Sequence, residues 1–482
     1  MSRQRTWLRG RLLRETEALP VDLFRVLVGL IGAAYFVNRA LHVPDFGAPD
    51  GLIDHALLAR ALWFTRMSLF QPGMGLPAFY AALAAGFACS LGIAAGWRTK
   101  LCAAAAFIVA VSWTRWNFLV IEIDDTVFEL MLFWLLLLPV GRTLTLGDRL
   151  RSGPSCWKRW KTERVPGTAV WCLMANVCLV YLVAGLWKLT FPMWRNGFAL
   201  YAVLRLPMSR TRDLWCSADL PWLRAASYFA LTMEISLPFL LAAPRGSWAK
   251  RLGFIFMLAF HLGIASCFGL PFVNLLLLGS AVLFFREPLM ERVFGVREPA
   301  RVAEAKSVGR EGIFAAALLV LVAMSVCRDV PVIGRPLGGA ASTVLWLAGL
   351  AQDYRLFDWV EAKNYRIDYE IFPKGSAARR AFDPAGFLPA TTSAVLLQAY
   401  LYDIHWMSFP RKHLPELKAS ILSRAAARFC RVHPGVNVSL RAQAVIRRIT
   451  AADPDLMQVV ERPVIDFRCS AGEAAVDKIL LE

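Results

Sequence analysis

The sequence predicts an all-α polytopic membrane protein with about nine transmembrane helices and a small extracytoplasmic α+β domain at its C-terminal end. Of its 482 residues, 57% are hydrophobic and 19% are charged, whereas soluble domains average about 45–50% apolar and about 25% charged residues. The apolar residues form long uninterrupted runs, and the positive charges cluster between those runs, as the positive-inside rule expects. These patterns argue against an ordinary soluble enzyme.

The formal net charge of +18 does not indicate a nucleic-acid-binding protein, because no zinc-finger, helix-turn-helix or RNP pattern accompanies it. The ten cysteines contain no CxxC pair and the six histidines show no HxxxH spacing. The sequence therefore predicts no metal site. We expect the lipid bilayer, and no nucleic acid, as a partner.

Several apolar runs approach the length of roughly 20 residues that a transmembrane helix needs. A basic leader, residues 1–22, precedes the first run, and no small-residue cleavage site follows it, so we expect that run to be retained as a helix. The predicted spans are residues 23–42, 76–96, 100–121, 126–141, 168–189, 225–243, 252–269, 271–286 and 312–327.

The charges of the connections predict which helix ends face the cytoplasm. With the N-terminus inside, the strongly basic connections 142–167 and 287–311 are also inside, whereas the acidic loop 43–75 is outside. The basic loop 190–224 does not follow this rule. Nine spans in a bacterial-type cell inner membrane leave the C-terminus outside, and eight or ten spans would leave it in the cytoplasm.

Residues 23–330 thus form the predicted transmembrane domain, and residues 331–352 an interfacial helix or linker. A tenth span is the alternative for the Gly-rich stretch 336–352, because about 17 residues is borderline for crossing.

The remaining residues, 353–482, form the predicted α+β domain. Alternating and helical periodicities there predict strands and helices, at 365–371, 393–404, 414–430, 438–450 and 457–467. If this domain is outside, Cys430 and Cys469 lie in an oxidising compartment and could form a disulfide.

Ionisable residues inside apolar runs are candidates for function, because they are costly in a bilayer. Lys188, near the end of the fifth run, is either a lysine that extends to the interface or an amine held away from water that can act as a base. Glu234, in the middle of the sixth run, needs a partner. His261, in the seventh, is either a core histidine or part of a site shared with Glu234.

A second group of charges surrounds the turn before the fourth run. Asp124 and Asp125 are either a helix cap or members of a functional cluster. Arg25 and Arg115 are the basic residues that could pair with them, and the sequence does not assign the pairs.

The order of several motifs resembles the HTTM (horizontally transferred transmembrane domain) family, whose best-known members are the vitamin K-dependent gamma-carboxylases. The likeness covers roughly residues 20–290. The motifs are Leu23-Phe-Arg-Val-Leu-Val-Gly-Leu, Arg115-Trp-Asn, Leu138-Pro-Val-Gly-Arg-Thr-Leu-Thr-Leu-Gly-Asp, Tyr181-Leu-Val-Ala-Gly-Leu-Trp-Lys-Leu with Met193-Trp-Arg-Asn-Gly, and Phe260-His261 followed by Phe268-Gly-Leu-Pro-Phe.

This resemblance implies a quinol-dependent oxygenase or carboxylase that acts on a peptide or a small substrate, with a reduced quinone, O2 and CO2 as the implied cofactors. Lys188 would be the base that deprotonates the quinol, with His261 and Glu234 as further catalytic residues. The implied cofactor-binding residues are Trp187, Trp194, Asn117 and Asp125.

The sequence departs from the carboxylases where they carry an Asn-Asn-His run near residues 115–125 and paired lysines at 187–188. Its C-terminal part is also smaller. The alternative is therefore a non-enzymatic maturation or chaperone factor for a secreted client, suggested by Tyr400, Tyr402, Trp406 and Phe409. A transporter ranks last, because we see no inverted-repeat pairing.

Overall fold

The computed structural model describes residues 15–206, 208–244, 246–285, 309–329, 335–352, 354–355, 357, 363–373, 387–389, 391, 394, 397, 411–448, 456–470 and 473–479. The described part of the chain is mostly helical, with a small sheet near the C-terminus. Its helices are α1 (Ala18–Leu41), α2 (His55–Ala61), α3 (Leu76–Ala95), α4 (Thr99–Trp116), α5 (Ile123–Leu137), α6 (Leu146–Ser152), α7 (Cys156–Thr162), α8 (Thr168–Thr190), α9 (Pro192–Arg195), α10 (Ala199–Leu204), α11 (Leu220–Ala242), α12 (Trp248–Cys267), α13 (Pro271–Phe284), α14 (Arg310–Val326), α15 (Arg335–Leu347) and α16 (Leu414–Val432).

Each predicted span coincides with a helix, with differences at the ends that have local causes. Helix α1 begins at Ala18, five residues early, because the buried pair Asp22 and Arg25 lets polar residues enter its first turns. Helix α4 ends at Trp116 instead of residue 121, because a 3-10 turn, Phe118–Val120, follows it.

Within the described residues, five helices are long and apolar enough to cross a membrane, which makes the chain a multi-pass membrane protein. They are Ala18–Leu41, Leu76–Ala95, Thr168–Thr190, Ser217–Ala242 and Trp248–Cys267. Helix α13, with 14 residues, is only about 21 Å long at about 1.5 Å per residue. The prediction of nine spans is not confirmed and stays a prediction.

Small residues let the apolar helices approach closely, as is common between membrane helices. A side chain at Gly29 of α1 would place its Cβ 2.5 Å from the backbone nitrogen of Ala94 in α3. This contact holds the first helix directly against the backbone of the second.

The two ends of α1 have different surroundings. At its N-terminal end, strand β1 (Glu15–Glu17) pairs antiparallel with β2 (Arg164–Pro166), which directly precedes α8. Its C-terminal end leads into the loop 43–66, which packs against the C-terminal region. We call this second end of the helical bundle the distal end.

The C-terminal sheet is an antiparallel meander in the order β3 (Lys363–Pro373), β4 (Asn437–Arg448), β5 (Leu456–Ser470) and β6 (Glu473–Ile479). The predicted strands at 365–371, 438–450 and 457–467 and the predicted helix at 414–430 are confirmed. Strand β6 was not anticipated, and the predicted helix 393–404 lies largely outside the described residues. The predicted disulfide between Cys430 and Cys469 is present.

Helix α16 joins this sheet to the loop 43–66, which we call the distal loop. One hydrophobic cluster combines Phe46, Ile53 and Leu57 of the loop with Ile421 and Phe429 of α16. Around it lie ion pairs between arginine and acidic side chains, which are Arg428–Asp45, Arg431–Asp50, Arg424–Asp54 and Arg60–Glu416. Surface ion pairs contribute about 0–1 kcal/mol each, so the apolar contact carries most of the association.

Helix α15 packs against α14, where the Ser342 and Ser325 hydroxyl oxygens are 2.6 Å apart. Its C-terminal end returns to the distal loop: the Trp346 ring centroid lies 4.6 Å from that of Phe64, and Arg115 donates to the Leu347 carbonyl at 2.6 Å. Whether this helix lies in the interface or crosses the bilayer stays a prediction.

We predict that His55, in the distal loop, makes stability sensitive to acid. Its buried ring stacks on Trp116 with centroids 4.0 Å apart. Burial lowers the pKa of His55 to about 3, helped by the charge of Arg424 and opposed by the Asn117 hydrogen bond and Asp54. The folded pKa lies below the unfolded value of about 6.5, so stability is complete above about pH 6.5 and is lost as pH falls toward about 3.

Thermal unfolding of the wild type and of His55→Gln, with the partly exposed His413→Gln as the control, measures this effect. Between about pH 7 and about pH 4.5, the wild type should lose about 2–3 kcal/mol more than His55→Gln. Parallel stability curves for the wild type and His55→Gln would contradict the assignment.

Candidate functional site

Lys188 and Glu234 form a buried ion pair between α8 and α11. The ammonium nitrogen Nζ of Lys188 lies 2.6 Å from both carboxylate oxygens of Glu234. Each residue is 4% exposed. The partner that the sequence required for Glu234 is therefore Lys188, and the lysine is held inside the protein instead of extending to the interface.

The local sequence allows the two helices to approach closely at this point. A side chain at Gly185, one turn before Lys188, would place its Cβ 2.7 Å from Cγ1 of Ile235 and 3.3 Å from Cβ of Glu234. Four residues after Glu234, Pro238 lies inside α11 and lacks the N–H that would bond to the Glu234 carbonyl. Glycine on one helix and proline on the other thus mark the site in the sequence.

Two tryptophans lie beside the pair. The Nζ atom of Lys188 is 5.1 Å from the ring centroid of the buried Trp194. Trp187 lies under the guanidinium of Arg355, whose Cζ is 3.8 Å from its ring centroid. The neighbouring Leu186 and Leu189 are 48% and 41% exposed, so α8 presents an apolar outer face next to the buried pair.

His261 belongs to a hydrogen-bonded chain that crosses three helices. Its Nε2 is 2.5 Å from the Tyr181 hydroxyl, and its Nδ1 is 2.8 Å from Oδ1 of Asn274. The Asn274 amide nitrogen donates to the Leu270 carbonyl, so Oδ1 faces the histidine and Nδ1 must donate. Nε2 then accepts from Tyr181.

This chain lies at a different depth from the ion pair. Tyr181 and Lys188 are seven residues apart on α8, which is about 10 Å along the helix axis. Both ring nitrogens of His261 have protein partners, as a histidine that fastens helices together would. The structure thus places His261 on α12, which packs against the helix of Glu234. The hydrogen bonds of the His261 ring go to Tyr181 and Asn274, not to the ion pair.

The second group of charges has partners that the sequence did not assign. Asp125 accepts from the Tyr35 hydroxyl at 2.6 Å, lies 2.9 Å from Nη2 of Arg39 and caps its own helix at Glu122. Asp124 accepts from the backbone of Val273 at 2.7 Å and so caps α13.

Arg25 and Arg115, the suggested partners of these acids, bind other groups. Arg25 pairs with Asp22 at 2.8 Å, and Arg115 donates to backbone carbonyls of Met67 and Leu347. The suggested pairing with Asp124 and Asp125 is therefore wrong, because helix packing turns both arginines toward nearer acceptors.

The predicted cofactor-binding residues divide into two sets. Trp187 and Trp194 lie next to Lys188, whereas Asn117 contacts His55 across 3.4 Å and Asp125 belongs to the cluster with Tyr35 and Arg39. Sequence reasoning missed Arg39, although its spacing of four residues from Tyr35 places both on one face of the first helix.

Comparison with known proteins gives one match. A protein-family model described as the HTTM domain matches residues 14–288. No curated protein and no solved structure matches the chain.

Proposed function

This chain belongs to the HTTM domain family, and from that premise we propose that it is a membrane enzyme in which Lys188 and Glu234 move a proton during the oxidation of a reduced quinone. The reaction would use O2 and would be coupled to carboxylation by CO2 of a peptide or a small substrate. The observation that carries the proposal is the buried Lys188–Glu234 ion pair.

Within the bundle this pair can hold a proton in two ways. Transfer of one proton from Nζ of Lys188 to a carboxylate oxygen of Glu234 converts an ammonium and a carboxylate into a neutral amine and a neutral acid. The short contacts allow this transfer within a hydrogen bond, and removal from water disfavours the charged forms. The amine then has a lone pair that can accept a proton from a hydroxyl group.

The residues around the pair fit a reduced quinone. Such a molecule has a flat ring, two hydroxyl groups and an apolar tail, and when bound it would supply two electrons for the reduction of oxygen. The indoles of Trp187 and Trp194 offer flat apolar surfaces, Lys188 and Glu234 offer a proton acceptor, and the exposed Leu186 and Leu189 offer an apolar route from the lipid.

In the proposed site, His261 has a positioning role. Its hydrogen bond to Tyr181 fixes the rotation of α8, and the same helix carries Lys188. We therefore propose that His261 acts by positioning α8, while its membership of the quinone pocket stays a prediction.

The proposed setting is a bacterial-type inner membrane with the N-terminus in the cytoplasm and the C-terminal sheet outside. The disulfide between Cys430 and Cys469 supports that orientation, because disulfides persist in oxidising compartments. The aromatic residues that suggested a maturation factor, Tyr400, Tyr402, Trp406 and Phe409, lie outside the described residues.

The experiment supplies reduced menaquinone or reduced vitamin K, oxygen and bicarbonate to purified protein in lipid nanodiscs, and detects quinone epoxide by mass spectrometry. Lys188→Ala should lower epoxide formation by about 100-fold or more, as loss of a general base does. The double variant Lys188→Gln with Glu234→Gln, in which both side chains are neutral, tests the same loss without an unpaired carboxylate.

Lys100→Ala is the matched control, because Lys100 pairs with Glu311 at the protein surface, and it should leave epoxide formation unchanged. Equal epoxide from the wild type and both Lys188 variants would refute the proposed role of Lys188. No epoxide from folded wild-type protein with either quinol would refute the enzyme proposal and favour the maturation factor.

A further inference from the structure

The segment that follows α15 runs back along the helix that carries Lys188. Gly349 starts it with a φ of +74°, and a side chain there would place its Cβ 2.6 Å from Cγ1 of Val111. The next anchors are Leu350, which is buried, and Gln352, whose amide nitrogen donates to the Thr126 carbonyl at 2.9 Å. We call the described residues of 349–357 the strap.

The second half of the strap contacts both tryptophans of the site. The guanidinium of Arg355 covers the ring of Trp187, and the Phe357 carbonyl accepts from Nε1 of Trp194 at 2.7 Å. Trp194 in turn lies over Nζ of Lys188. The strap is thus one contact removed from the ion pair.

The strap also reaches the helices that surround the His261 chain. The Tyr354 hydroxyl accepts from the amide nitrogen of Asn176 in α8 at 3.0 Å, and the Phe357 ring centroid lies 5.2 Å from that of Phe268, just after α12. These contacts attach one segment to α8, which carries Lys188, and to the end of α12, which carries His261.

The backbone of the strap is strained where it makes these contacts. Tyr354 and Phe357 both have a φ of +55°, a left-handed conformation that costs energy for residues with a Cβ. Such conformations persist where surrounding contacts impose them, and they concentrate at ligand clamps and active sites. The strain coincides with the two residues that hold Asn176 and Trp194.

We propose that the strap is a positioning element that holds Trp194 over Lys188 and closes the adjacent end of the ion pair to water. Arg355, Tyr354 and Phe357 are its positioning residues. The meaning of this closure rests on the proposed function, but its test does not need quinone turnover.

The test uses the full-length protein in nanodiscs. It measures the acetylation of Lys188 by a water-soluble acetylating reagent that reacts with amines, and peptide mass spectrometry detects the product. In the wild type, Lys188 should react far more slowly than the exposed Lys100, which is the internal standard. Arg355→Ala removes the cation over Trp187 together with its ion pair to Asp329, and it should raise labelling of Lys188 by about fivefold. Tyr354→Phe removes only the bond to Asn176 and should raise it by a smaller factor.

Two further variants separate closure from general loosening of the protein. Arg355→Lys retains a cation that can lie over Trp187 and should stay near the wild-type rate. Arg60→Ala removes an exposed guanidinium that pairs with Glu416 of the C-terminal helix, and it should leave the labelling rate of Lys188 at the wild-type value.

Several outcomes would overturn the proposal. They are Lys188 labelled as fast as Lys100 in the wild type, no increase in Arg355→Ala, Arg355→Lys labelled as fast as Arg355→Ala, or equal increases in Arg355→Ala and Arg60→Ala. If the labelling pattern is as expected but no epoxide forms, then the strap is supported and only the proposed quinol chemistry fails.

Discussion

Replacing Glu234 by glutamine should destabilise the protein by about 3–5 kcal/mol, because it leaves the buried ammonium of Lys188 without its counter-charge. Both side chains are 5% exposed and the ammonium contacts both carboxylate oxygens. Water therefore cannot readily replace the lost partner. Lys188→Ala should cost a similar amount, since it leaves the Glu234 carboxylate alone between two apolar helices.

Thermal unfolding in nanodiscs of the single variants Lys188→Gln and Glu234→Gln, and of the double variant that combines them, measures this coupling. The double variant has no buried charge, so it should be more stable than either single variant, and the coupling energy should therefore be about 3 kcal/mol or more. Losses that simply add would show that the two charges do not depend on each other in the folded protein. The partly exposed pair Lys100–Glu311 is the control, and its removal should cost about 0–1 kcal/mol.

The second large effect is expected at Asp22, which organises the end of the bundle opposite the distal end. Its carboxylate accepts from the backbone nitrogens of Gly141, Arg142 and Thr143 at 2.6, 2.9 and 2.6 Å, and from Nε of Arg25 at 2.8 Å. Asp22 and Arg25 are fully buried. The carboxylate therefore joins the first helix to the connection that follows α5.

Asp22→Asn should cost about 3–5 kcal/mol, because the amide turns two donors toward backbone N–H groups and leaves Arg25 as an unpaired buried charge. Unfolding by heat or by denaturant should show this loss. Asp148→Asn, an acid on the same connection that pairs with the exposed Arg159, should change stability by about 0–1 kcal/mol. Similar losses for the two variants would mean that the Asp22 network adds nothing beyond a surface ion pair.

These two clusters use buried charge for different purposes. The Asp22 carboxylate accepts hydrogen bonds on both oxygens, and all of these bonds connect α1 to itself or to the segment after α5. The Lys188–Glu234 pair has few partners beyond itself and lies beside two indoles and an apolar outer face. Because of that difference, we propose a chemical role for the Lys188–Glu234 pair and a structural role for Asp22.

The sequence by itself determined the apolar helices at the nine predicted spans, three of the four C-terminal strands and the class of the protein. The length of an apolar run and the period of its polar residues are local properties, and the helices α3 and α8 and the strands β3, β4 and β5 follow from them. The disulfide was also predictable, because Cys430 and Cys469 are the two cysteines of the C-terminal domain that was predicted to be outside.

The tertiary structure decided which charges meet. Lys188 and Glu234 are 46 residues apart, and Tyr35 and Asp125 are 90 residues apart, so their contact depends on how each helix is rotated and how deeply it is placed. Arg25 and Arg115 show the limit of sequence reasoning, because nothing in their sequence positions distinguishes Asp124 and Asp125 from the groups that the two arginines bind in the fold. Hydropathy and period constrain which face of a helix is buried, but only packing against neighbouring helices sets the partners on that face.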